Sequence, residues 1–444
     1  MNINIDLISE INSLKIKIAD NRFNRDNLYI LLLQQKSIKI IDYILNNIKI
    51  TDIKIIKIPE FNIDNVSITL LKQVKNLNIY DNKIQNILNY LKQDNISEEK
   101  KKEIIESNDD KLNIILYELL FINNDNDVKN IIEYYSQDII SKYIPLNIQI
   151  EIIKKLKFNL KFNVYLNDKK LKFNFFMKDQ TYNALDITII IVKAFYLIVL
   201  YNIDKVNIKL NYYLTTFKKE MPHNKKFLGV NEINSGFTNI NTNESEITIY
   251  RKEECEKLTI HEMVHALKID NYLFESDNII EKQLKCNFNI SKFNKINFFE
   301  SFTESIATIS NCIINSLLTN IEINDLINLE IKFNILQCSK IMKFYKTNPK
   351  NFLCKNCCFK SNKNWIEKTS ITAYFFCKLG IIYNVNNFIK KWMFNENIII
   401  EDIYKEILEN LMTIKFINDF KISDKLYNTL RMTINEFNWN NIKI

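Results

Sequence analysis

Leu258-Thr-Ile-His261-Glu262-Met-Val-His265-Ala-Leu267 is the stretch from which the rest of the chain can be read. On an α-helix, residues four apart face the same way, so both imidazoles reach one metal ion while Glu262 lies alongside it. Thr259, Ile260, Met263, Val264, Ala266 and Leu267 are uncharged, as befits a helix buried beneath a site. The chain contains only three histidines, so finding two of them in a His-Glu-x-x-His spacing is improbable by chance. The bland alternative is a pair of ordinary core histidines.

Two histidines leave zinc short of ligands, because catalytic sites use three protein groups and keep a position for water. A His-x-x-Gly-x-x-His continuation would need glycine at 268 and histidine at 271, but Lys268 and Asn271 stand there, which excludes the metzincin arrangement. The next strong helix carries Glu300 and Glu304, one turn apart and directed at the same neighbour. Glu300 is expected as the third ligand and Glu304 as the carboxylate that accepts the free N–H of a ligand histidine, with the reverse assignment open. Asp270 and Asp277 are nearer in sequence but lack a glycine turn that would return them to the metal.

Outward from the motif, the expected class is α+β and mainly helical. Residues 1–155 read as an amino-terminal helical domain of unknown role, with apolar residues at helical spacing over 28–48 and 111–121. Residues 156–290 read as an α/β subdomain. Strands are expected at 158–166 and 171–177, around an Asn167-Asp168 turn, and at 206–214 and 246–251, with a helix over 183–202 and the metal helix starting near Glu253. Residues 291–444 return to helical periodicity and supply the third ligand.

Only 3 glycines and 4 prolines punctuate 444 residues, which favours long helices. Lys and Arg total 60 against 52 Asp and Glu, a net charge of +8 spread without a dense basic block, so a nucleic-acid partner is not expected. The most apolar window, 184–203, contains Asp186 and Lys193 and reads as a buried helix rather than a membrane span. The first residues lack a secretory pattern, which implies a cytoplasmic protein with reduced thiols among its 8 cysteines. Cys354, Cys357 and Cys358 are half of a zinc ribbon at most.

His261-Glu262-x-x-His265 followed by Glu300-x-x-x-Glu304 resembles the gluzincin zinc metallopeptidases, although Asp is frequent there at the position of Glu304. The runs 231–236 and 247–254, together with 369–379, are similar to metallopeptidases assigned to large cytoplasmic DNA viruses, and the Asn/Ile/Lys bias would suit an insect poxvirus. The resemblance covers about 205–385 of this sequence. It implies a zincin-like core, one Zn2+ and a polypeptide substrate held by backbone pairing along 246–251. It also implies hydrolysis with Glu262 as general base. An oxyanion donor is expected from Tyr374 or, second, His223. Arg251 and Glu254 either brace the start of the motif helix or belong to a solvated turn, and the sequence favours neither. The alternative is a catalytically inactive interaction protein that retains the fold.

Overall fold

The computed structural model describes residues 28–59, 143–222, 227–240, 244–271, 277–288, 296–347, 365–393, 400–417 and 421–435, with a few isolated positions. His223, Cys354, Cys357 and Cys358 lie outside the described residues, as do most of 1–155.

The elements are α1 (Leu28–Asn47), β1 (Ile48–Lys57), α2 (Leu146–Lys155), β2 (Phe158–Leu166), β3 (Lys169–Met177), α3 (Ala184–Leu200), β4 (Asn207–Thr215), β5 (Gly236–Asn239), β6 (Ser245–Arg251), α4 (Cys255–Ala266), α5 (Asp277–Asn287), α6 (Phe299–Thr319), α7 (Ile323–Phe344), a π-helical turn (Thr372–Cys377) running into α8 (Lys378–Ile382), and α9 (Ile400–Thr413). The architecture is α+β, built on a six-stranded mixed sheet of order β1-β2-β3-β4-β6-β5. β2 and β3 form an antiparallel hairpin whose turn residue Asn167 takes φ 57°. β3–β4 and β4–β6 are parallel, and β5 pairs antiparallel with β6.

Alternation along the strands gives the sheet an apolar inner face and an outer face that is polar over its middle rows and apolar where Phe176 and Tyr213 stack, buried, with Tyr135. Phe162, Phe173, Phe175 and Tyr212 stack on the inner face, where the Tyr212 hydroxyl meets Thr259 Oγ1 of α4 at 2.9 Å. Helices α1, α3, α4 and α6 pack together on that side.

Two elements differ from expectation. Residues 48–57 are not helical: Ile-rich alternation makes them a strand paired with β2, and α1 before it contributes Ile30, Leu33, Ile40, Ile41 and Ile44 to the main hydrophobic core. β5 is a strand only four residues long, too short to show a period. Among the described cysteines, Cys255, Cys312, Cys338 and Cys377 are free and buried. Cys286 is disulfide-bonded, against the expectation of reduced thiols throughout. No helix among the described residues is long and apolar enough to cross a membrane.

Helix α3 explains how its charge is tolerated. Lys193 is fully buried, ion-pairs with Glu256 of α4, and donates to Asn311 Oδ1 and Asn315 Oδ1 of α6, each at 2.8 Å. One ammonium thus joins three helices. Lys193→Met would leave Glu256 uncompensated in the core, and a loss of about 3–5 kcal/mol in chemical denaturation is expected, typical of breaking a buried pair.

Candidate metal centre

Helix α4 begins with an unusual residue: Glu254 has φ 62° and is buried. Its carboxylate ion-pairs with Lys219 at 2.7 Å and accepts from the Met432 and Thr433 amides, contacts that hold the strained residue in place. Arg251, also buried, donates to the carbonyls of Asn234, Lys218 and Asn231, which pins the loop leading into β5. Both residues are buried and therefore brace the approach to the motif rather than forming a solvated turn. The helix ends in a left-handed residue, Lys268, with φ 57°. The Lys268 amide bonds the His265 carbonyl at 2.9 Å and the Ile269 amide the Val264 carbonyl at 3.0 Å, the Schellman pattern that glycine usually serves.

That turn brings Asp270 back against the motif. Its Oδ2 lies 2.6 Å from His265 Nδ1 and also accepts from Thr303 Oγ1 at 2.9 Å. Asp270 is an outer carboxylate that orients His265, a role the sequence reading missed because it looked for a glycine turn. Side-chain placement of Asp277 lies outside the described residues.

Packing of α6 on α4 sets the rest. His261 Nε2 and His265 Nε2 are 3.2 Å apart, and Glu300 Oε2 is 3.4 Å from the first and 3.5 Å from the second. Tetrahedral ligands on zinc bonds of about 2.0–2.1 Å stand about 3.3–3.4 Å from one another, so these three atoms have the spacing of a three-ligand site. Glu300 Oε2 is buried without a hydrogen-bond partner, an orphaned acceptor that a cation would satisfy. Glu304 Oε2 meets His261 Nδ1 at 2.8 Å, and its other oxygen is ion-paired with Lys257 and approached by Lys378 at 3.7 Å. Each histidine thus has a carboxylate on its far nitrogen, fixing the tautomer that presents Nε2 to the common point.

Electrostatics follow the same plan. Burial pushes Glu300 up, but the charge of His265 and contacts with both imidazoles outweigh it and hold the carboxyl down at about 2. Burial likewise opposes ionisation of Glu304, yet Lys257, His261 and Lys378 keep it well below the usual carboxylate range. For the histidines, burial pulls downward and the acidic neighbours prevail, raising His261 and lifting His265 well above 6.5.

Glu262 is buried beside the centre and accepts from Thr238 Oγ1 of β5 at 2.7 Å. Gly236 lets β5 close on β6 and α4 here, since a Cβ would stand 2.8 Å from the Thr248 carbonyl and 3.1 Å from Leu258 Cδ2. Tyr374 lies in the π-helical turn, a local irregularity common at functional sites, with its ring 6.1 Å from that of His261. Burial first, then the charges of Glu300, Glu262 and Glu304, push its hydroxyl well above the ordinary tyrosine value, so it is a protonated donor.

The resemblance placed a substrate strand at 246–251, and the structure corrects this. β6 is hydrogen-bonded to β4 on one edge and β5 on the other, so no edge is available. Among the described residues the sheet ends at β5, whose edge runs beside Glu262.

Asp270→Ala should weaken zinc affinity about 10–100-fold, measured by competition with a chelator, because the His265 tautomer is no longer held. pH dependence of the metal-free protein has a definite sign. His261 and His265 have folded-state values above 6.5, so their protonated forms contribute stability that is complete below 6.5 and is lost as pH rises through the raised values. The depressed Glu300 contribution is present above 4.5 and is lost only as pH falls toward about 2. Tm of the metal-free protein should therefore fall as pH rises from 6.5 through the histidine values, and saturating zinc should remove the decline, since the ion takes the nitrogens that protons vacate. In comparisons with known proteins, no family model, no curated protein and no solved structure matches the chain.

Proposed function

We propose that the chain is a zinc-dependent peptidase with a gluzincin-type site. The observation that carries this reading is the triangle of His261 Nε2, His265 Nε2 and Glu300 Oε2, with sides of 3.2, 3.4 and 3.5 Å, and Glu262 follows His261 directly in the sequence. The helix pair α4–α6 against a sheet ending in β5 is an arrangement that supports a zincin-like core. When bound, zinc supplies Lewis acidity, which polarises a carbonyl and makes a water more acidic.

The chain's own residues do the rest. Glu262 takes the proton of the attacking water and passes it to the departing amine, with Thr238 holding its Oε2 in place. Tyr374 donates its hydroxyl proton in a hydrogen bond to the carbonyl oxygen as negative charge grows there. An extended polypeptide adds to the β5 edge by backbone hydrogen bonds, which sets its scissile bond over Glu262. A purely structural metal would have no use for a buried carboxylate one residue from a ligand.

Glu262→Gln is expected to retain about one zinc and lose roughly 10²–10⁴-fold in kcat toward a general protein substrate such as casein. Hydrolysis at an unchanged rate by that variant, or absence of zinc from protein purified without chelator, would overturn the assignment. Tyr374→Phe should lower kcat about 10²–10³-fold with little change in KM, because the lost hydrogen bond strengthens only as charge develops.

A further inference from the structure

The outer face of the sheet carries a charge pattern that the fold does not require. One cross-strand row reads Thr51, Asn163, Lys172, Lys209, Glu246, Asn239 from β1 to β5. A second begins Lys54, Lys161, Asn174, Asn211, and a third Lys49, Tyr165, Lys170, Asn207. Lys54 stands directly opposite Lys161, and Lys172 directly opposite Lys209. Like charges in direct register destabilise a sheet, and at Lys54, which is exposed, and at Lys161, Lys172 and Lys209, which are half-buried, another polar side chain would serve, whereas Asn174 and Asn211 beside them are buried.

Compensation is incomplete. Lys209 pairs with Glu246 and Lys172 with Glu244, each at 2.6 Å, and Asp52 lies near Lys54 and Lys170. Among the described residues Lys54 and Lys161 form no ion pair. Burial, and then the neighbouring Lys209, push the Lys161 ammonium below its ordinary value, as expected of a cation crowded by another. A pattern costly to the folded state and unnecessary to it is a mark of function.

The partner must be anionic, and position selects its class. The first row ends at Asn239 on the β5 edge, two strand spacings, or about 10 Å, from Lys209. A polypeptide lying along β5 and continuing past Asn239 meets the lysines. Single-stranded nucleic acid favours several exposed stacking rings, whereas among the described residues of these three rows Tyr165 is the one aromatic, and Lys170 already sits 5.4 Å from its centroid. We infer that this lysine face is a docking surface for an acidic stretch of the polypeptide whose scissile segment occupies the β5 edge. The inference rests on the peptidase reading for its substrate but has a readout independent of hydrolysis.

The test uses the zinc-loaded, full-length Glu262→Gln protein and the fluorescence anisotropy of a labelled oligoglutamate peptide. Binding is expected that weakens with added salt. Lys54→Glu combined with Lys172→Glu should reduce affinity roughly tenfold. The same two changes turn two like-charge pairs into opposite ones while removing the Lys172–Glu244 pair and setting like charge beside Asp52, so Tm should be little changed, and binding lost at an unchanged Tm separates lost docking from lost folding. In the active protein, the double variant should raise KM for a substrate with an acidic extension and leave kcat unchanged. No binding at low salt, equal binding by the double variant, or preference for a single-stranded oligonucleotide of equal charge would overturn the docking proposal. Oligoglutamate binding by a protein that holds no zinc and cleaves nothing would instead overturn the peptidase reading and leave the lysine face as an acidic-polypeptide surface.

Discussion

Carboxylates buried in a helix interface dominate this molecule. Helix α6 directs Glu300 and Glu304 inward, with Thr303 and Asn311 extending the same polar stripe, in a region where an uncompensated charge would cost several kcal/mol. Every neighbouring element answers that demand. Helix α4 contributes His261, His265 and Lys257, α8 contributes Lys378, and Lys193 of α3 closes the far end of the stripe on Asn311 and Asn315. The carboxy-terminal segment is drawn in by the same means, since Lys378 donates to the Met432 carbonyl and Glu330 accepts from the amides of Ile434 and Asn435. The candidate metal centre is therefore one end of a continuous buried polar system, and its geometry is set by charge balance as much as by apolar packing.

The parts of this arrangement legible in the sequence are those encoded by local spacing. His261 and His265 four apart, and Glu300 and Glu304 four apart, share helix faces whatever surrounds them, and α3 is recognisable as a core helix from its Ile-rich run. Strands β2, β3, β4 and β6 announce themselves by alternation. What was not legible depends on contacts between distant segments. β5 has four residues and no pattern, and its place at the sheet edge follows only from pairing with β6. Asp270 reaches His265 because Lys268 adopts a left-handed conformation without being glycine, an exception no residue rule anticipates. β1 was hidden within a helical stretch because its isoleucines fit either period. The lysine face is assembled from four strands, so a count of charge along the chain shows only a dispersed excess.

The two faces of the sheet divide the work. Inner positions pack aromatic rings against α4 and fix the height of the motif helix, while outer positions are free of that duty and carry the charge pattern. Gly236 belongs to both tasks: lacking a Cβ, it lets β5 close on the Thr248 carbonyl and on Leu258, so the strand that ends the sheet also touches the motif helix.

The brevity of β5 has a consequence for what such a site can take hold of. Four residues at about 3.4 Å each offer an edge of roughly 13 Å, and in a strand only alternate residues turn their amide and carbonyl outward. A guest chain thus gains very few hydrogen bonds, each worth about 0.5–1.5 kcal/mol net, which is too little to unravel a stable domain. On the peptidase reading, the enzyme is a reader of chain that is already loose. Tails, linkers and damaged or unfinished proteins would be open to it, and a well-folded neighbour would be spared by its own stability rather than by any feature of its sequence.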